Sequence, residues 1–162
     1  MKEMEGARIL VVDDEEGIRK SLKAVLEEEG YLVDTAENGQ EAIAKSKAGF
    51  YNLALVDIRL PDMDGVELLT SMKEGTPRMV RIIVTGYPSL DNAIQAVNKG
   101  VDGYIVKPFT MEQLLNKIKE HLRKQQESEK YSEEKVEKYV ESRTREMDTK
   151  LKSASLDKGK TS

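Results

Sequence analysis

Cysteine is absent and histidine occurs once, at His121. The first absence excludes disulfides, thiolate metal sites and a cysteine nucleophile. The second excludes a multi-histidine metal centre and leaves little room for Ser-His-Asp chemistry. No stretch approaches the roughly 20 apolar residues that cross a bilayer. The apolar run near the N-terminus, Ile9–Val12, is too short for the h-region of a signal peptide. A basic excess is missing as well: 26 Lys and Arg stand against 30 Asp and Glu, a formal charge of −4. A chain that neutralises many phosphates needs the opposite balance, so nucleic acid is not expected as a direct partner. The expectation is a soluble, cytoplasmic protein with no membrane span.

What is present divides unevenly along the 162 residues. Residues 123–162 hold only eight members of the hydrophobic class, too few to bury a core alone. Charge divides too, with a net −6 over residues 1–118 and +2 over 119–162. The expected organisation is a lead of residues 1–6, a folded domain over 7–122, a helical extension or short coiled coil over 123–155, and a disordered tail over 156–162.

Residues 7–122 alternate between two patterns. Short β-branched runs at Ile9–Val12, Tyr31–Thr35, Leu53–Val56, Val80–Val84 and Gly103–Val106 read as buried parallel strands. Amphipathic segments separate them: Ile18, Leu22, Val25 and Leu26; Ile94 and Val97 beside Ala93 and Ala96; Leu114, Leu115, Ile118 and Leu122. Asn38 with Glu41, and Thr110 with Gln113, have capping-box spacing, and Gly30, Gly49, Gly75 and Gly100 sit where helices should stop. Five strands alternating with five helices predict an α/β fold: a doubly wound five-stranded parallel sheet of flavodoxin-like order 2-1-3-4-5, followed by a charged helical tail.

In such a sheet ligands bind beyond the C-terminal strand ends, where the strand order reverses. Asp13 and Asp14 follow the first strand, Asp57 ends the third, Thr85 ends the fourth, and Lys107 follows the fifth. Each alone has a structural reading: Asp14 as the cap of a helix starting at Glu15, Thr85 as a strand-end hydroxyl, Lys107 as a solvated charge. Together they mark a site. Three carboxylates in one crevice repel unless a cation sits among them, and hard oxygen donors without His or Cys select Mg²⁺, with Mn²⁺ as the alternative. Lys107 can neutralise a phosphate oxygen, Thr85 can donate to another, and Asp57 can act as a carboxylate nucleophile forming an acyl phosphate.

These residues stand in recognisable strings: ILVVDDEE, LALVDIRLPDMDG, IIVTGY and GYIVKPF, in that order. Over about residues 7–122 the sequence resembles the receiver domain of two-component response regulators. The resemblance implies that Asp57 is the phosphoacceptor, charged from a phosphohistidine on a sensor histidine kinase or phosphotransfer protein. It implies that Asp14, Asp57 and the backbone carbonyl of Arg59 ligate Mg²⁺ directly, with Asp13 holding the metal through water. Lys107 would contact the phosphate, Thr85 would turn inward onto it, and Tyr104 would be the aromatic switch that follows. The Lys107–Pro108 bond would be cis. Pro61, Gly65 and Asp64 read as a tight loop and a helix cap, and Gly86 as open space beside the phosphate. Arg59 and Tyr87 fall at the positions that tune dephosphorylation in this family; both are bulky, which favours a long-lived phosphoryl group. Output would appear on the face of the fourth helix, fifth strand and fifth helix, toward an unidentified downstream protein. The chain would turn over no external substrate, only its own phosphotransfer and autodephosphorylation. The alternative is a Mg²⁺-dependent aspartyl-phosphate phosphohydrolase, which would carry its nucleophile in a DxD motif after the first strand.

The tail over 123–155 lacks Gly and Pro and offers Glu–Lys pairs such as Glu134 with Lys138. Val136, Val140, Arg143 and Met147 follow 4-3-4 spacing, with Leu151 four further on. This short seam allows a homodimer through the C-terminal helix. The stretch VEKYVESRTREMDTKL also resembles the charged linker helices that precede histidine-kinase dimerisation segments. No output domain follows, so the expectation is loss or removal of one, or action through partners. His121 is followed by Leu122, without the acidic neighbour and later proline of a phosphoacceptor box, and reads as a surface histidine.

Overall fold

Runs such as RILVV and LALVD put β-branched and apolar residues on both faces of a strand, which suits a sheet covered on both sides. The computed structural model of the chain describes residues 5–72, 78–86 and 88–160, with the backbone alone over 152–160. Its elements are β1 (Arg8–Val12), α1 (Glu16–Glu28), β2 (Leu32–Ala36), α2 (Gly39–Ala48), β3 (Leu53–Asp57), α3 (Gly65–Ser71), β4 (Val80–Thr85), α4 (Leu90–Asn98), β5 (Gly103–Val106) and α5 (Met111–Lys160). All strand pairs are parallel, and the order is β2-β1-β3-β4-β5.

Alternate strand residues feed two cores. Ile9, Val11, Leu53, Leu55, Ile82 and Val84 pack with Leu22 and Leu26 of α1 and with Leu114, Ile118 and Leu122 of α5. Their neighbours Leu10, Val12, Ala54, Val56 and Ile83 pack with Ala42 of α2, Leu68 and Leu69 of α3 and Ala96 of α4. Period-two alternation in a doubly covered sheet produces this division.

Helix ends follow the sequence signals in part. Asn38 accepts the Glu41 amide at 2.8 Å, Asp64 accepts that of Val66 at 2.7 Å, and Thr110 and Gln113 form a reciprocal capping box at 3.1 and 2.9 Å. Gly30 (φ 96°) and Gly100 (φ 77°) take the left-handed conformation after α1 and α4. Gly49 ends α2 in extended backbone that any residue adopts. Gly75 lies outside the described residues.

Two expectations need correction. Ile94 and Val97 do not face the core: they are 48% and 75% exposed, and the residue α4 buries is Ala96. The small Ala96 side chain packs in the core, so the larger side chains at Leu90, Ile94 and Val97 are left outward. His121 is half-buried rather than a surface residue; its Nε2 lies 3.2 Å from where a Cβ on Gly103 would stand, so that glycine makes its room. Burial lowers its pKa below 6.5. The backbone of α5 is helical to Lys160. Residues 161–162 lie outside the described part.

The chain divides into two compact units between Gln125 and Gln126. Gln125 is buried, donating to the carbonyls of Asn52 (2.9 Å) and Arg78 (2.7 Å) and accepting from the Asn52 amide (3.2 Å). No local pattern announces this anchor, since its partners lie 73 and 47 residues away. Gln125→Ala is expected to cost about 2 kcal/mol in chemical denaturation, the penalty for stranding buried polar groups. A loss below about 0.5 kcal/mol would mean water replaces the bonds. In the second unit Val136, Val140, Met147 and Leu151 are all more than half exposed, and Arg143 lies 5.4 Å over the Tyr139 ring.

Candidate functional site

Register decides what meets at the carboxyl edge of the sheet. Val12 pairs with Val56, so Asp13 and Asp57 leave adjacent strands side by side. Thr85 pairs with Val106, so Lys107 emerges beside the end of β4, its amide donating to the Thr85 carbonyl at 2.7 Å. Strand ends in a parallel sheet point the same way, and short buried runs stop where polar residues begin.

Carboxylate oxygens of Asp13, Asp14 and Asp57 all lie within 4.8 Å of one another. Asp13 is 4% and Asp57 8% exposed, whereas Asp14 is open to solvent. Lys107 Nζ stands 3.1 Å from Asp13 Oδ2 and 3.5 Å from Asp57 Oδ2. Asp13 Oδ1 accepts the Glu15 amide at 2.9 Å, and Asp57 Oδ1 accepts the Arg59 amide at 3.2 Å. The lining beneath is apolar, with Val11, Ile18, Leu22, Leu55, Val84 and Phe109. Burial therefore pushes the Asp57 carboxyl above its ordinary value of 3.8; the Arg59 amide and Lys107 oppose the rise, and Asp13 adds to it. Burial also works to lower Lys107, but the Asp13 and Asp57 carboxylates outweigh it and hold the ammonium above 10.5.

The α1 helix starts with Glu15 as N-cap and no side-chain cap bond, so Asp14 is not spent on capping. Instead Asp13 turns its carboxylate onto the Glu15 amide. Arg19, which the sequence reading passed over, donates to the Asp13 carbonyl at 2.7 Å. Its spacing six residues on is no known motif; only α1 packing brings it back.

Thr85 is fully buried at the end of β4. Tyr104 packs its ring against the α3 and α4 core, and its buried hydroxyl has no hydrogen-bond partner among the described residues. Arg59 is exposed on the loop after β3, bridged to Asp64. Tyr87 lies outside the described residues. The Lys107–Pro108 bond is cis. Gly65 packs so tightly that a Cβ would fall on the Asp57 carbonyl oxygen and 2.9 Å from the Ile58 Cα. A Cβ at Gly86 would only touch Lys107, at 3.9 Å.

A family model described as the response regulator receiver domain matches residues 9–119. The chain belongs to that family. The transcriptional regulatory protein ResD of Bacillus subtilis (strain 168) is 40% identical to this receiver over 124 residues, 76% of this chain and 51% of that protein. The chain thus spans about half the length of the curated relatives it matches. A CheY-like response regulator receiver domain protein from Methanospirillum hungatei JF-1 is 48% identical, with a TM-score of 0.73 over 76% of this chain and 98% of that one. The response regulator TrrA of Thermotoga maritima, solved in complex with Mg²⁺ and BeF, is 39% identical, with a TM-score of 0.63 over 71% and 98%. Three clustered carboxylates fit a small hard cation in this receiver, since all their donors are oxygen and Lys107 alone leaves them under-neutralised. Among the described residues, no helix is long and apolar enough to cross a membrane.

Proposed function

We propose that this receiver is a phosphorylation-dependent switch of a two-component system, working in the cytoplasm. Asp57 takes a phosphoryl group from a phosphohistidine on a sensor histidine kinase or phosphotransfer protein. The observation that carries the reading is the convergence of Asp13, Asp14 and Asp57 with Lys107 over an apolar floor.

An Asp57 carboxylate oxygen attacks phosphorus. The new O–P bond forms as the P–N bond to the donor imidazole breaks, and that nitrogen keeps the electron pair and takes up a proton. Mg²⁺ held by Asp14, Asp57 and the Arg59 carbonyl, with Asp13 through water, would neutralise charge on the transferring group. Asp13 supports the water-mediated role, because both its oxygens already accept protein donors. Lys107 supplies the point charge that follows the phosphoryl group. A groove of about 520 Å³ beside Lys107, lined by Gly17, Ile18, Ser21, Phe109 and Met111, suits a docked donor helix.

The product carries about −1.5 to −2 charge where carboxylates already crowd. Thr85 and Lys107 re-form their bonds around it, and the Thr85 and Tyr104 arrangement that accommodates it is favoured. The output face is that of α4, β5 and α5, on which α4 and β5 leave Leu90, Ile94, Val97 and Val106 exposed. Tyr104→Phe removes a buried hydroxyl that has no partner among the described residues, and is expected to raise stability by about 1 kcal/mol. A lower melting temperature would show the hydroxyl is in use.

Acetyl phosphate and Mg²⁺ should add one phosphoryl mass per chain, and none to Asp57→Ala. Equal labelling of Asp57→Ala would remove Asp57 as acceptor. Steady turnover of a phosphomonoester would make the protein a phosphohydrolase instead. A second copy docks along the Val136, Val140, Met147 and Leu151 stripe, so a chain cut after Gln126 should sediment as a smaller assembly than the full chain. An unchanged subunit number would remove the tail from the contact.

A further inference from the structure

The loop between β3 and α3 carries Arg59, and it is closed on itself. Gly65 donates to the Ile58 carbonyl at 2.8 Å, Leu60 to the Met63 carbonyl at 3.2 Å, and Arg59 bridges Asp64. At its tip the loop reaches another element. Asp62 Oδ1 accepts the Gly39 amide at 2.8 Å and Oδ2 accepts the Gln40 amide at 2.9 Å. With Asn38 on the Glu41 amide, the first three amides of α2 are thus all satisfied, two of them by a carboxylate from 23 and 22 residues away. Met63 lies over Gly39 where a Cβ would otherwise stand, so the tip is seated by packing as well. A carboxylate at a helix N-terminus is held both by the exposed amides and by the helix dipole. The Asp62 pKa is lowered, first by the Gly39 amide. The Asp62 side chain is exposed, but the Gly39 amide it holds is part-buried and Met63 beside it packs against the core, so the clasp fixes the loop tip to α2.

We infer that Asp62 is a positioning residue for the cation site: its carboxylate clasps the Asp57–Asp64 loop to the N-terminus of α2 and so holds Arg59 in place for the metal. The inference rests on the Mg²⁺ reading given above. Asp62 touches neither metal nor phosphate. It acts through the loop, by removing conformations in which the Arg59 backbone is turned away before the ion arrives.

The test is calorimetric titration of the full wild-type chain, Asp62→Ala and Asp62→Asn with Mg²⁺ alone, alongside amide exchange in chelator. Asp62→Ala should bind Mg²⁺ about tenfold more weakly, the usual scale for losing an outer-shell partner. The Leu60 and Gly65 amides should exchange faster in that variant. Asp62→Asn lacks the charge but keeps an acceptor, so it should recover part of both losses. Equal Mg²⁺ binding by wild type and Asp62→Ala overturns the inference. Equal losses in Asp62→Ala and Asp62→Asn also overturn it, since a lost distant charge would then explain them. Failure of the wild type itself to bind Mg²⁺ would instead sink the reading of the acidic site.

Discussion

In chelator at neutral pH, Asp57→Asn melts about 4 °C above the wild-type chain, the shift that roughly 1 kcal/mol produces in a domain of this size. The cause is the crowding of Asp13, Asp14 and Asp57 against the single ammonium of Lys107. Burial raises the folded-state pKa of Asp57 above its unfolded value of 3.8, so its contribution to stability is fully present below that value. That contribution is lost as pH rises through the raised pKa. The gap between variant and wild type therefore opens across the acid range and stays open at neutral pH. Asn cannot ionise and carries no such loss. Saturating Mg²⁺ reverses the order, because the wild type then gains a ligand that binds only the folded form, by RT ln(1 + [L]/Kd). Thermal scans at several pH values, with and without Mg²⁺, read both effects. A metal-free Asp57→Asn that melts at or below wild type would show that the carboxylates are not in conflict.

Gly65→Ala is expected to cost about 1–3 kcal/mol, the range for forcing extra volume into packed structure. The added methyl would strike backbone, not a flexible side-chain end: the Asp57 carbonyl oxygen, with the Ile58 Cα at 2.9 Å and the Asp57 carbonyl carbon at 3.0 Å. The backbone that presents Asp57 must move, so beryllofluoride uptake with Mg²⁺ should fall together with stability. Gly86→Ala provides the contrast. Among the described residues its methyl meets only Lys107 Cβ and Cδ, at 3.9 Å, so its stability should stay within about 0.5 kcal/mol of wild type. Equal melting of the two variants would mean that the start of α3 does not press on the acceptor strand.

Much of this molecule is legible in one dimension where the signal is local. The run LALVD is a buried strand that ends on its acid, and the observed β3 ends at Asp57. Asn38 and Thr110 cap helices within three residues of themselves. The reading failed where a pattern fits two faces. Ile94 and Val97 make an apolar stripe, but periodicity alone cannot say whether the stripe or the alanines beside it meet the sheet. It also passed over Arg19 on the Asp13 carbonyl, a spacing that fits no motif, and partners distant in sequence: Gln125 on Asn52 and Arg78, Asp62 on the start of α2.

The order of residues alone carries the alternation of strand and helix, the polar residue closing each strand, and the residue types that suit a hard cation and a phosphoryl group. These depend on spacing and side-chain chemistry, which neighbours along the chain carry. It took the packed fold to bring Asp13, Asp14 and Asp57 within 4.8 Å, to bury a Tyr104 hydroxyl that has no partner among the described residues, and to turn the larger side chains of α4 outward. Those outcomes follow from strand register and from how closely each helix approaches the sheet, distances set by packing between segments that no local pattern relates.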